Sequence, residues 1–280
     1  TKRCRGKGKT GNQMSDVGCP RSEKTDDGSR AMKVVFHEAF YPVYTDDPAA
    51  AAGRMEAVME ALAPAAKVVE PDPATEDQIA AVHTASHIEW VRRQGVYEVA
   101  SLAAGGAVLA AEIGLKEPCL GAIRPPGHHA SSDSAWGFCY FNNMAVALTH
   151  LHRRGKIDSA YVLDIDLHYG DGTVEILGDK DWATVYNVAA VGRSAILKRI
   201  RIEMETCRAD IIGVSAGFDN HEKDWGGTLA TDDYRRIGRM VKVASMQCGG
   251  GCFALLEGGY NHRVLGDNAL ALLEGMAGGY

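Results

Sequence analysis

Four places in this chain carry residues that could do chemistry. Asp164, Asp166 and His168 stand two apart directly after the apolar run Ala160–Leu163. On an extended strand, side chains at i, i+2 and i+4 share one face. Two carboxylates and an imidazole crowded there are poorly solvated and repel unless a cation sits among them. A lone Asp-x-Asp is more often a solvated strand end; the added histidine tips the balance to a metal site. Gly170 and Gly172 then turn the chain. Upstream, Pro125-Pro126-Gly127 restricts the backbone just before His128 and His129. Rigidly presented imidazoles suit proton transfer, although an adjacent pair in a loop proves little alone. Asp219 follows Ser215-Ala216-Gly217-Phe218, and Tyr260 follows Glu257-Gly258-Gly259.

The elements that must position these groups are legible as short apolar runs separated by helical patterns. Strands are expected at 33–36, 67–70, 119–123, 160–163, 183–188, 210–214 and 252–256. Helices are expected at 48–63, 75–83, 86–94, 101–114, 171–177, 194–207, 231–246 and 264–274, with a further one from Asn143 to about Arg154. Asp47 with Pro48 reads as one helix start and Thr75-Glu76-Asp77-Gln78 as a capping box. Helices alternating with continuously apolar strands imply a three-layer α/β/α fold around a mostly parallel sheet. Ligands in such folds gather beyond the carboxyl ends of strands, where His128/His129, Asp164/Asp166/His168, Asp219 and Tyr260 all fall. His83 and His87 read as ordinary helix-end residues, and Arg54 as a solvated helix charge.

The 280 residues suffice for one large domain, expected over 32–280. Residues 1–31 are polar and basic, which predicts a disordered segment. A net charge of −6 argues against a general nucleic-acid binder. No apolar run approaches the ~20 residues of a membrane span. Seven scattered cysteines read as reduced thiols of a cytoplasmic protein.

Together the motifs resemble the histone deacetylase and acetylpolyamine amidohydrolase family, within the arginase-like fold. They are Arg-Pro-Pro-Gly-His-His-Ala (124–130), Gly-Phe-Cys-Tyr-Phe-Asn-Asn (137–143), Asp-x-Asp-x-His-x-Gly-Asp-Gly (164–172), Ser-Ala-Gly-Phe-Asp (215–219) and Glu-Gly-Gly-Tyr (257–260). The resemblance implies one Zn²⁺ per chain on Asp166, His168 and Asp219, with His129 as general base and His128 as its electrostatic partner. It implies that Asp164 orients His128, that Asp171 orients His129, and that Tyr260 donates to the developing oxyanion. Gly137 and Phe138 would line the slot for the substrate's methylene chain, and Arg54 would lie near an internal acetate cavity. K⁺ would sit behind Asp164, Asp166 and the His168 carbonyl.

The chain departs from the family between His168 and Asp219, where it is short and lacks a Pro-Gly-Thr-Gly segment. The second aromatic wall of the slot and some potassium ligands are expected to go with it. A longer loop with an acidic rim residue is also missing at 95–101. These losses point to a small acetylated amine, or to broad acyl-amide specificity including acetyl-lysine. The rim could be rebuilt by His37, Glu38 and Tyr41 or by a neighbouring subunit in a homo-oligomer. Two rivals stand beside this reading: an arginase-like ureohydrolase with two Mn²⁺, disfavoured by His221 where a second aspartate is needed, and a silent binder of acetylated ligands.

Overall fold

The computed structural model describes residues 32–278; the expected disordered segment 1–31 lies outside them. Seven strands form one sheet: β1 (Met32–Val35), β2 (Ala66–Val69), β3 (Cys119–Gly121), β4 (Ala160–Asp164), β5 (Ala183–Asn187), β6 (Ile211–Ala216) and β7 (Gly251–Leu256). The order is β2-β1-β3-β7-β6-β4-β5, and every pairing is parallel. The inner strands are buried on both faces, which is why they read as unbroken apolar runs rather than alternating ones.

Nine α-helices cover the described sheet: α1 (Arg54–Leu62), α2 (Glu76–Ala80), α3 (Ala85–Arg93), α4 (Tyr97–Gly114), α5 (Asn143–Arg153), α6 (Asp171–Leu177), α7 (Arg193–Thr206), α8 (Thr231–Gln247) and α9 (His262–Ala277). Helices α4, α5 and α6 pack in one series, and α1, α9, α8 and α7 in another. The alanine- and glycine-rich α4 lies directly against β1, β3 and β7, as its small side chains allow. The expected capping box is present: Thr75 Oγ1 accepts from Gln78 N, and Gln78 Oε1 accepts from Thr75 N.

The helix expected over 48–63 is in fact two pieces. Pro48–Ala50 forms a single 3-10 turn capped by Asp47, and α1 starts only at Arg54. Between them Gly53 takes a φ of 81°, in the left-handed region that ends a helix. The break swings Arg54 inward, where it is fully buried.

Pairing register sets one level across the sheet. Gly121 pairs with Leu255, Leu255 with Ser215, Ser215 with Asp164, and Asp164 with Asn187. The loops that leave β3, β7, β6 and β4, four neighbours in the sheet, therefore start beside one another.

Candidate active site

The loop after β4 does not continue as a strand. β4 ends at Asp164, so Asp164, Asp166 and His168 do not share a strand face as their spacing suggested. Asp164 turns to His128, whose Nδ1 lies 3.0 Å from its Oδ2. Asp166 and His168 meet Asp219, and Asp166 Oδ1 also lies 3.9 Å from His128 Nε2. His168 Nδ1 lies 3.1 Å from Asp166 Oδ1 and 3.0 Å from Asp219 Oδ2. Backbone amides hold the pair of carboxylates in place: His168 N donates to Asp166 Oδ1, Gly258 N to Asp166 Oδ2 and Leu167 N to Asp219 Oδ1.

This trio is the one group of three or more histidine, cysteine or carboxylate side chains among the described residues whose donor atoms converge, all within 4.8 Å of one another. Asp219 Oδ2 is buried, and although His168 Nδ1 lies 3.0 Å away it accepts no well-aligned hydrogen bond. An orphaned buried carboxylate oxygen is expensive, and a cation at this point would satisfy it. Gly258 backs the site, since a Cβ there would stand 2.6 Å from Asp166 Oδ2 and 2.8 Å from Asp219 Oδ2. Two carboxylates and one imidazole, with His168 still 37 % accessible, fit a catalytic metal with an open position. Hydrogen bonds from His168 and from backbone amides, with the His128 charge, overcome burial and hold Asp166 below the carboxylate range. Burial and the Asp166 charge push Asp219 up to about 6. The Asp166 and Asp219 carboxylates beside it raise His168 to about 10.

The two histidines present themselves from the loop after β3. His129 Nδ1 is 2.7 Å from Asp171 Oδ1. Both imidazoles are buried to the same extent, but their carboxylates are not: Asp164 is 1 % accessible and Asp171 48 %. Burial opposes charge on His128, yet Asp166 and Asp164 outweigh it and raise its pKa well above normal. Burial and the His128 charge push His129 down to about 4. Gly137 makes room for the second ring. It has a φ of 59°, and a Cβ there would lie 2.3 Å from His129 Cδ2. Phe138 follows with a φ of 70°, a conformation a bulky residue takes only under constraint.

Tyr260 follows β7. Its ring lies 4.0 Å from that of Trp225 and 6.0 Å from that of Phe138. Burial and Asp166 raise its pKa, so the phenol stays a donor at neutral pH. Arg54 is no solvated charge: it donates to the backbone oxygens of Gly259, Glu257 and Ala49, with its Cζ 5.8 Å over the Tyr260 ring. It braces the loop that carries the tyrosine.

Several contributors escaped the sequence reading. Glu257, fully buried, accepts from the amides of Gly127 and His128 at 2.7 and 3.2 Å, which ties β7 to the histidine turn. Burial pushes it up to about 7. Trp136 Nε1 donates to Asp171 Oδ2 at 2.8 Å, and its ring lies 3.9 Å from that of His129. Asn187 Oδ1 accepts from Gly170 N and fixes the turn between His168 and Asp171. His83 and His87 do stand at helix ends, but they are buried ties rather than ordinary residues, and bond to the backbone of Ser131, Asn142 and Tyr140. Glu38 and Tyr41, offered as rim residues, instead line a hollow with Glu56, Met59 and Val68 beside edge strand β2; Tyr41 packs on Phe36, 5.0 Å away.

A family model described as a histone deacetylase domain matches residues 49–189 and 190–276. The chain belongs to the histone deacetylase family. Membership makes it a hydrolase of the deacetylase type. It is 31 % identical over 304 residues to a probable deacetylase of Methanothermobacter thermautotrophicus, covering 88 % of this chain and 91 % of that one. It is 26 % identical over 263 residues to a histone deacetylase-like amidohydrolase of Pseudomonas aeruginosa, covering 74 % and 69 %. The crystal structure of the HDA15 HD domain superposes with a TM-score of 0.77 at 23 % identity, over 89 % of this chain and 90 % of that one, which establishes the deacetylase fold. No helix among the described residues is long and apolar enough to cross a membrane.

Proposed function

We propose that this family member is a zinc-dependent amidohydrolase. It removes acetyl or related acyl groups from amines such as acetylpolyamines or acetyl-lysine. One observation carries the reading. Asp166, His168 and Asp219 converge with an orphaned carboxylate oxygen, and two carboxylate-paired histidines and a tyrosine surround them.

Asp166, His168 and Asp219 would hold the metal. When bound, zinc supplies Lewis acidity, polarising an amide carbonyl and lowering the pKa of a water towards about 7. The remaining work falls to side chains of this chain. His129 Nδ1 is engaged by Asp171, which leaves Nε2 to take a proton from the attacking water and return it to the departing amine nitrogen. Burial keeps His129 neutral at pH 7, the state a base requires. His128, paired with Asp164, supplies charge beside it. Tyr260 donates its phenolic proton in a hydrogen bond to the carbonyl oxygen as that atom gains charge. Water and amide become carboxylic acid and amine. A monovalent cation behind Asp164 and His168 belongs to the same reading, and potassium titration in sodium-free buffer tests it.

His221 speaks against a binuclear ureohydrolase. It is buried against Tyr234, with Nδ1 accepting from Lys223 N and Nε2 beside Thr231 Oγ1, so it does not supply a second metal. A silent binder has no use for two paired histidines. A turnover screen of acetylputrescine, acetylspermidine, acetyl-lysine peptides and longer acyl-lysines on zinc-loaded protein tests the proposal. Hydrolysis of at least one is expected; binding without turnover across the panel sinks it.

A further inference from the structure

The short stretch between His168 and Asp219 predicted a slot missing one aromatic wall. The described site nevertheless carries a run of six rings. Trp136 lies 3.9 Å from His129, His129 6.1 Å from His168, and His168 6.0 Å from Trp225. Trp225 then lies 4.0 Å from Tyr260, and Tyr260 6.0 Å from Phe138. Phe138 and Trp136, the two ends of the run, are separated in sequence by Gly137. Beneath this collar the carboxylates of Asp166 and Asp219 are buried.

Trp225 is the unexpected member, because it comes from the loop after β6. It is 54 % exposed, so core packing does not account for an indole there. Its position is nevertheless fixed. Asp224 Oδ1 accepts from Trp225 N, while Asp224 Oδ2 accepts from the amides of Tyr260 and Asn261, each at 2.8 Å. Asn261 Nδ2 donates to Lys223 O, and Gly226 N to Asp219 O. The indole is thus tied to the tyrosine loop on one side and to the Asp219 loop on the other. Its plane lies within 24° of the Tyr260 ring, while Phe138 stands at 81° to that ring. A held, half-exposed indole beside reacting groups is a preformed apolar contact for a ligand.

We infer that Trp225 is the substituted wall of the substrate slot, the residue against which a ligand's methylene chain packs. The inference rests on the deacetylase reading. It names a residue that acts on the chain of the substrate, not on the amide.

Calorimetry on the zinc-loaded full chain, with acetohydroxamate and octanohydroxamate as probes, tests it. The first reaches only the metal trio; the second adds methylenes along the collar. Trp225→Ala should weaken octanohydroxamate about tenfold and leave acetohydroxamate within about twofold, while Trp225→Phe should hold octanohydroxamate within about threefold. Equal weakening of both probes by Trp225→Ala would assign the indole to holding Tyr260 and overturn the inference. So would unchanged octanohydroxamate affinity. If wild-type protein binds neither probe, the deacetylase reading fails first, and that failure is visible before any variant is made.

Discussion

His83 joins stability to the site in a way that can be measured cleanly. Its Nδ1 donates to Ser131 O and its Nε2 accepts from Asn142 N, each at 2.9 Å. The two partners bracket the segment that carries Trp136, Gly137 and Phe138. His83→Ala leaves a buried amide and a part-buried carbonyl without their partner, at about 1–3 kcal/mol each, and opens a cavity. The expected loss is about 4–5 kcal/mol at pH 7.5. That loss must also shrink with acid. Burial and the His87 charge push His83 down from 6.5 to about 3, so the folded state refuses a proton that the unfolded chain accepts. The contribution is complete above pH 6.5 and falls away as pH drops towards 3. Each pH unit in that window removes about 1.4 kcal/mol, or about 2.7 kcal/mol between pH 6.5 and 4.5. Urea unfolding of wild type and variant, both kept metal-free with chelator, reads the gap directly. It should narrow from about 4–5 kcal/mol at pH 7.5 to about 2 kcal/mol at pH 4.5. A gap that stays constant over this range, or one under about 1 kcal/mol at pH 7.5, refutes the reasoning.

Gly137→Ala places a Cβ where the His129 ring lies and strains a backbone at φ 59°. Turnover should fall about 10²-fold through displacement of the base, with zinc content by metal analysis unchanged. His129→Ala should abolish hydrolysis by several orders of magnitude while keeping zinc, whereas His128→Ala should reduce it less and shift the pH profile of kcat/KM. A milder defect in His129→Ala than in His128→Ala exchanges their roles.

Much of the site was legible because strands announce their own ends. An apolar run that stops at a carboxylate or at Pro-Pro-Gly marks a loop at the sheet's edge, and β3, β4, β6 and β7 all end this way. Which strands are neighbours was not legible: the order β3-β7-β6-β4 depends on crossovers spanning most of the chain. The spacing of Asp164, Asp166 and His168 suggested one strand face, yet the strand stops at Asp164, whose side chain meets His128. Arg54 looked solvated because its helix seemed to start six residues earlier; the bend at Gly53 buries it. Trp225 and His83 were silent because their partners lie 35 to 59 residues away and are backbone or ring faces with no pattern of their own.

The central claim is that one metal ion, held by Asp166, His168 and Asp219, supports deacylation by the surrounding side chains. Titrating Zn²⁺ into metal-free protein while following hydrolysis of a fluorogenic acetyl-lysine amide tests it most directly. Activity should rise linearly and level off at one equivalent, from a metal-free rate near zero. Full activity without metal, a break at two equivalents, or no activity at saturation would contradict it.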